Sequence, residues 1–145
     1  MRPIYEAGFA AAFAASVATV ANAQLFALGY RVPTDPITIT QPIRVIDADT
    51  FDVGAERIRI NNLDAPETFR PHCDAERELG TRATVRAREL IAAARVVTIY
   101  PERRRDRPSR VLARVEVDGQ DLATLLIGQG LGRPWRGRTS DWCAS

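Results

Sequence analysis

Three short stretches of strand alternation, one long helical period, two further strands and a short helix predict an α+β domain that is mainly β. That order suits a five-stranded OB-fold barrel with one long and one short helix. A doubly wound sheet needs repeated strand–helix–strand alternation, which is missing. A chain of 145 residues has room for one compact domain. Its 46% hydrophobic and 26% charged residues are a globular mixture.

The first 23 residues read as a secretory signal rather than fold. Arg2 gives the positive start, Ala7 to Ala21 is a small and apolar run, and Ala21-Asn22-Ala23 is a small-x-small cleavage site. The run is 15 residues long, short of the roughly 20 that a spanning helix needs. A retained N-terminal anchor is the alternative. Cleavage after Ala23 leaves one domain, 24–145, periplasmic or extracellular, with no stable membrane insertion.

Gln24 to Gln41, with Pro33 and Pro36, reads as an extended lead-in. Ile43 to Ile46 is a strand, Asp47-Ala48-Asp49-Thr50 a turn, and Phe51 to Val53 a second strand broken by Gly54. Glu56 to Asn61 alternates, with Ile58 and Ile60 on one face and Arg57 and Arg59 on the other. Asn61-Asn62 and Pro66 bound a loop carrying Asp64 and Glu67. From Asp74 to Ala94 the residues Ala75, Leu79, Ala83, Ala87, Leu90 and Ala94 recur at helical spacing, with Asp74 as the expected N-cap. Val96 to Tyr100 is a strand, and Glu102 to Arg110 reads as a polar, Arg-dense loop. Val111 to Val117 is a strand turned by Asp118-Gly119. Leu122 to Gln129 is a short helix ended by Gly130.

Composition narrows the chemistry. All 20 basic residues are Arg, which excludes a Lys Schiff base and a Walker-type phosphate lysine. With one His and two Cys, a zinc site of four cysteines, or of two cysteines and two histidines, is excluded for a single chain. A metal would therefore be held mainly by oxygen, and phosphate by Arg, hydroxyls or backbone. Residues 24–94 carry nine Arg against eleven acids, and 95–145 ten Arg against six. An acidic segment followed by a basic one suits a metal-plus-phosphate site, and equally a solvated mixed surface. In an exported protein Cys73 and Cys143 are expected to form a disulfide; without export they read as free thiols.

Asp49, Asp64 and Glu67 fall at strand ends or in loops, where functional groups collect. Oxygen donors of this kind suit a hard cation, calcium or magnesium. Arg59 and Arg110 could face such a cation across a phosphate and neutralise its charge, while a carboxylate activates water.

The order of the pieces is more specific than any one of them. Val45 to Thr50, then Arg57-Ile58-Arg59-Ile60-Asn61-Asn62-Leu63-Asp64-Ala65-Pro66-Glu67, then Asp106-Arg107-Pro108-Ser109-Arg110-Val111-Leu112-Ala113, then Gly130-Leu131 together resemble the thermonuclease (staphylococcal nuclease-like) family. The resemblance implies the OB barrel already read from strand order. It also implies a calcium-dependent nuclease acting on DNA and RNA and leaving 3′-phosphate ends, as a monomer. Calcium ligands would fall on Asp49, Asp64 and the carbonyl of Ala65, the water-activating carboxylate on Glu67, and the phosphate-binding pair on Arg59 and Arg110. The sequence departs from the family pattern where Ala48 and Asn62 stand for glycines, and where Pro108-Ser109 stand for Tyr-Gly. A non-catalytic OB-fold nucleic-acid-binding protein of the cell envelope, or an envelope interaction protein with a vestigial site, are the rival readings.

Overall fold

The computed structural model describes residues 35–107 and 110–144. The signal-like segment, the start of the lead-in, and Pro108 with Ser109 lie outside the described residues. Five principal strands are present: β2 (Ile43–Asp47), β3 (Thr50–Val53), β4 (Glu56–Ile60), β6 (Val97–Arg107) and β7 (Arg110–Val117). Four two-residue strands join them: β1 (Ile37–Thr38), β5 (Leu63–Asp64), β8 (Gln120–Asp121) and β9 (Arg133–Pro134). The helices are α1 (Asp74–Ala93) and α2 (Leu122–Gly128).

The main sheet runs β1-β6-β7-β4-β3-β2, with β8 on β7 and a separate β5–β9 pair. All its pairings are antiparallel except β4 with β7, which is parallel. The two ends of that path, β1 and β2, follow one another in the chain with residues 39–42 between them. The sheet therefore curls back toward its own start, as the OB barrel requires.

Alternation drives the burial. Along β7, Val111, Ala113, Val115 and Val117 are buried while Arg110, Leu112, Arg114 and Glu116 face the other way. Phe51, Ile58, Ile60 and Ile99 join them inside, and Leu122, Ala123 and Leu126 of α2 complete the core.

Three sequence expectations are corrected. The Arg-dense segment is not a loop: β6 continues to Arg107 and pairs with β7 through register shifts between Pro101 and Arg105 and between Arg105 and Arg107. Bulges break the period of two, and polar side chains hide what is left of it. The cap of α1 is Cys73 rather than Asp74; its sulfur accepts the Glu76 N–H at 3.4 Å. The buried face of α1 is also rotated. Ala75 is exposed, and Glu76, Gly80, Ala83, Thr84, Ala87 and Ile91 face inward. Small residues at 80, 83, 84 and 87 let the helix approach closely.

Candidate active site

The β2–β3 turn and the chain leaving β4 meet at one end of the barrel. Thr50 pairs with Arg59 in the β3–β4 ladder, and the Ile60 N–H donates to the Asp49 carbonyl at 2.8 Å. Asp49 thus sits beside the segment that runs on through Asn61-Asn62 to Asp64. Parallel pairing places Arg110 opposite Arg57, so Arg110 and Arg59 emerge on one face, two residues apart in register.

Asp49 is 5% exposed. Its Oδ1 accepts the Thr50 hydroxyl at 2.7 Å and its Oδ2 lies 2.8 Å from Arg59 Nη1. Burial pushes its carboxyl up to about 7; Arg59 opposes that shift and the neighbouring Asp47 adds to it. Glu67 is exposed as a residue. Its carboxyl is nevertheless raised above the ordinary glutamate range, first by the protein atoms crowding it and next by the charge of Asp49. A carboxylate raised in this way is better matched to proton exchange near neutral pH. Arg110 forms a two-pronged pair with Asp106, its Nε 2.8 Å from Oδ1 and its Nη2 on Oδ2. That bond, followed by the charges of Asp49 and Asp47, raises the Arg110 guanidinium pKa further. Asp49, Arg59, Glu67 and Arg110 therefore share one electrostatic neighbourhood.

Asp64 is engaged differently. It is 1% exposed, lies in the β5–β9 pair opposite Arg133, and its Oδ2 accepts the Ser140 N–H at 2.7 Å. Among the described residues no three His, Cys, Asp or Glu side chains close around one point. A cation here would occupy an open site, completed by a backbone oxygen such as that of Ala65 and by water. The donor set suits a hard cation. The raised Asp49 carboxyl is buried negative charge that Arg59 only partly offsets.

Glu76 was invisible as a site residue in the sequence, where it reads as an ordinary first-turn helix acid. It is 2% exposed and accepts three donors: the Glu67 N–H at 3.3 Å, the His72 N–H at 2.7 Å and His72 Nδ1–H at 2.9 Å. Burial alone would raise its carboxyl; the His72 and Glu67 donors outweigh that and hold it below the usual range. One turn later, a Cβ on Gly80 would stand 2.7 Å from the Pro66 carbonyl oxygen and 3.0 Å from that of Glu67. Glycine at 80 and carboxylate at 76 thus seat the Glu67 loop on α1. Their i, i+4 spacing on one helix face is the signal that could have found them.

Ala48 and Asn62, which stand for family glycines, need no glycine there. Asp118 is the only non-glycine with positive φ among the described residues, so neither Ala48 nor Asn62 is in the left-handed region. Ala48 is buried, and Asn62 Nδ2 donates to the Asp121 carboxylate at 3.1 Å.

The Asp49 shift has a stability consequence with a definite sign. Its folded pKa of about 7 lies above the ordinary 3.8, so the folded state binds the extra proton between those values. Stability from this group is therefore lost as pH rises through that window, and the penalty is complete above it. In chelator, Asp49→Asn should unfold at higher denaturant than the parent at pH 8, with the gap closing near pH 4. A gap that does not change with pH would contradict this.

A model of the family described as staphylococcal nuclease homologue matches residues 57–141, more than half of the chain. Arg59, Asp64, Ala65, Glu67 and Arg110 lie within the match, and Asp49 precedes it. The SPbeta prophage-derived endonuclease YokF of Bacillus subtilis is 32% identical over 95 residues, 62% of this chain and 32% of its own length. Endonuclease YncB of the same organism is 33% identical over 95 residues, 62% of this chain and 44% of its own. The chain thus spans less than half the length of either relative. With the curled sheet, two helices and the matched stretch in agreement, the chain belongs to the staphylococcal nuclease homologue family.

Proposed function

We propose that the domain is a calcium-dependent nuclease that hydrolyses phosphodiester bonds of DNA and RNA. The observation that carries this reading is the pair of buried Asp49 and half-buried Arg59, 2.8 Å apart, in the same field as Glu67 and Arg110. Asp49, Asp64 and the Ala65 carbonyl would hold the cation. Bound there, a divalent cation would offset the charge of the phosphate oxygens. Arg59 and Arg110 would offer forked donors to the same phosphate and hold it for in-line attack. Glu67 takes a proton from water as the water oxygen bonds to phosphorus. The bond from phosphorus to the 5′ oxygen breaks, that oxygen gains a proton from solvent, and the product carries a 3′ phosphate. Glu76, bonded to the Glu67 N–H, keeps the base in place.

Export by the N-terminal signal and action as a monomer in the periplasm or medium belong to the same reading. The disulfide between Cys73 and Cys143 supports it, because such bonds persist in oxidising compartments. No helix among the described residues is long and apolar enough to cross a membrane.

Digestion of plasmid and of single-stranded RNA with calcium, with and without chelator, tests the proposal. Cleavage that chelation abolishes, with 3′-phosphate ends, is expected. Asp49→Asn and Asp64→Asn should need more calcium for the same rate, since each removes one negative charge from the cation's surroundings. Binding of nucleic acid without any cleavage in calcium would favour the binding-module reading instead.

A further inference from the structure

The C-terminal tail is a built structure rather than a trailing end. Arg133 and Pro134 pair with β5, and the Trp135 N–H donates to the Asn62 carbonyl at 3.3 Å. The Arg133 guanidinium lies 4.3 Å over the Trp142 ring and donates to the Asp141 carbonyl at 3.1 Å. Cys143 is bonded to Cys73 at the cap of α1. These anchors frame an open pocket of about 570 Å³ lined by Arg133, Arg136, Arg138, Ser140 and Asp141, among others.

Arg136 and Arg138 have a different character from the other arginines near the site. Arg59 is paired with Asp49, and Arg110 with Asp106. Arg136 and Arg138 are exposed, flank Gly137 at φ +81°, and among the described residues neither pairs with a carboxylate. From Arg133 to Ala144 there are three Arg and one acid. Two guanidinium groups in a concave wall, without a carboxylate partner among the described residues, suit the phosphates of a nucleic-acid backbone.

The pocket also connects to the candidate site. Ser140, in its wall, donates its N–H to Asp64. Trp135, next in chain to Arg136, is 39% exposed, and the Arg59 guanidinium lies 5.7 Å from its ring centroid. A path therefore runs from Arg59, past an exposed indole, to two arginines that have no carboxylate partner among the described residues. We infer that this tail is a subsite for the nucleic-acid strand flanking the scissile phosphate. A neighbouring base stacks on Trp135, and the next phosphates bind Arg136 and Arg138. This deepens the nuclease reading and rests on it for the identity of the ligand.

The test is fluorescence anisotropy of labelled oligothymidylates, two and twelve nucleotides long, titrated with full-length protein in chelator so that nothing is cleaved. Arg136→Ala/Arg138→Ala should weaken binding of the twelve-mer by about tenfold. The log–log salt slope should fall by about 1.4, which is two phosphate contacts on a single strand. Loss on the dinucleotide should be much smaller. Trp135→Ala should weaken the twelve-mer by roughly five- to a hundredfold, the range for one stacked base. The control Arg82→Ala/Arg88→Ala removes the same charge from α1 and should cost less than about twofold. Equal losses from the two double variants, equal losses on both lengths, or no loss from the tail variants would overturn the subsite. Plasmid digestion read in parallel separates the two ideas. A parent that binds the twelve-mer through the tail without cutting DNA in calcium counts against the nuclease, not against the subsite.

Discussion

Glu67→Gln is expected to lower the rate of plasmid cleavage by about 10²–10⁴-fold, the usual contribution of a positioned general base. The amide keeps the shape of the side chain but cannot take the proton from water. Extra calcium should therefore not restore the rate, whereas it should partly restore Asp49→Asn. Arg59→Ala should lose about 10²–10³-fold, as expected for one preorganised donor to a developing charge. It also removes the partner of buried Asp49, so its folded fraction must be measured alongside. Arg110→Ala should lose a similar factor. Arg110→Lys should recover little of it, because a point charge cannot reproduce the fork now directed at Asp106. Saturating-calcium kinetics on folded variants decides the matter. Parental rates for Glu67→Gln and for both arginine variants would remove these three residues from the chemistry.

The pH dependence should carry the same signature. The Glu67 carboxyl is raised by crowding and by the charge of Asp49, so its proton is lost at a higher pH than for a free glutamate. A cation beside Asp49 would offset that second cause. The rising limb of rate against pH should accordingly move to lower pH as calcium increases.

The barrel could be read from the sequence wherever one face is apolar and the other polar. Glu56 to Ile60 and Val111 to Val117 alternate cleanly, and both are strands within a residue of their expected limits. The long helix was legible from its period, but its buried face was not. Ala75 scores as apolar and is exposed, whereas Glu76 scores as polar and is buried. Only the chain position of the Glu67 and His72 N–H groups makes a carboxylate stable there, and a hydropathy pattern does not carry that information. The β5–β9 pair was equally hidden. Two residues have no periodicity, and the pairing joins segments about seventy positions apart. The candidate residues were legible as an ordered motif. Their grouping depends on the parallel β4–β7 pairing, which no local pattern encodes.

The disulfide expected from the sequence joins the cap of α1 to the C-terminal tail. Cys73 and Cys143 are 70 positions apart, with Cα atoms 6.1 Å apart in the fold. Opening that loop should cost about 4 kcal/mol through the entropy regained by the unfolded chain. For a domain of this size the midpoint should fall by roughly 15 °C. Cys73→Ser and Cys143→Ser should lose nearly the same amount. Serine at 73 can still accept the Glu76 N–H that the sulfur now accepts, so the helix cap survives and the crosslink alone is lost. The tail would then depend on the β5–β9 pair, the Trp135 N–H to Asn62 and the Ser140 N–H to Asp64. Those bonds hold it in the folded state but do nothing to restrict the unfolded one. Thermal melts of the two variants and of the reduced parent should therefore coincide, well below the oxidised parent. If all four melt together, the bond adds nothing to stability, and native-state contacts alone hold the tail against the domain.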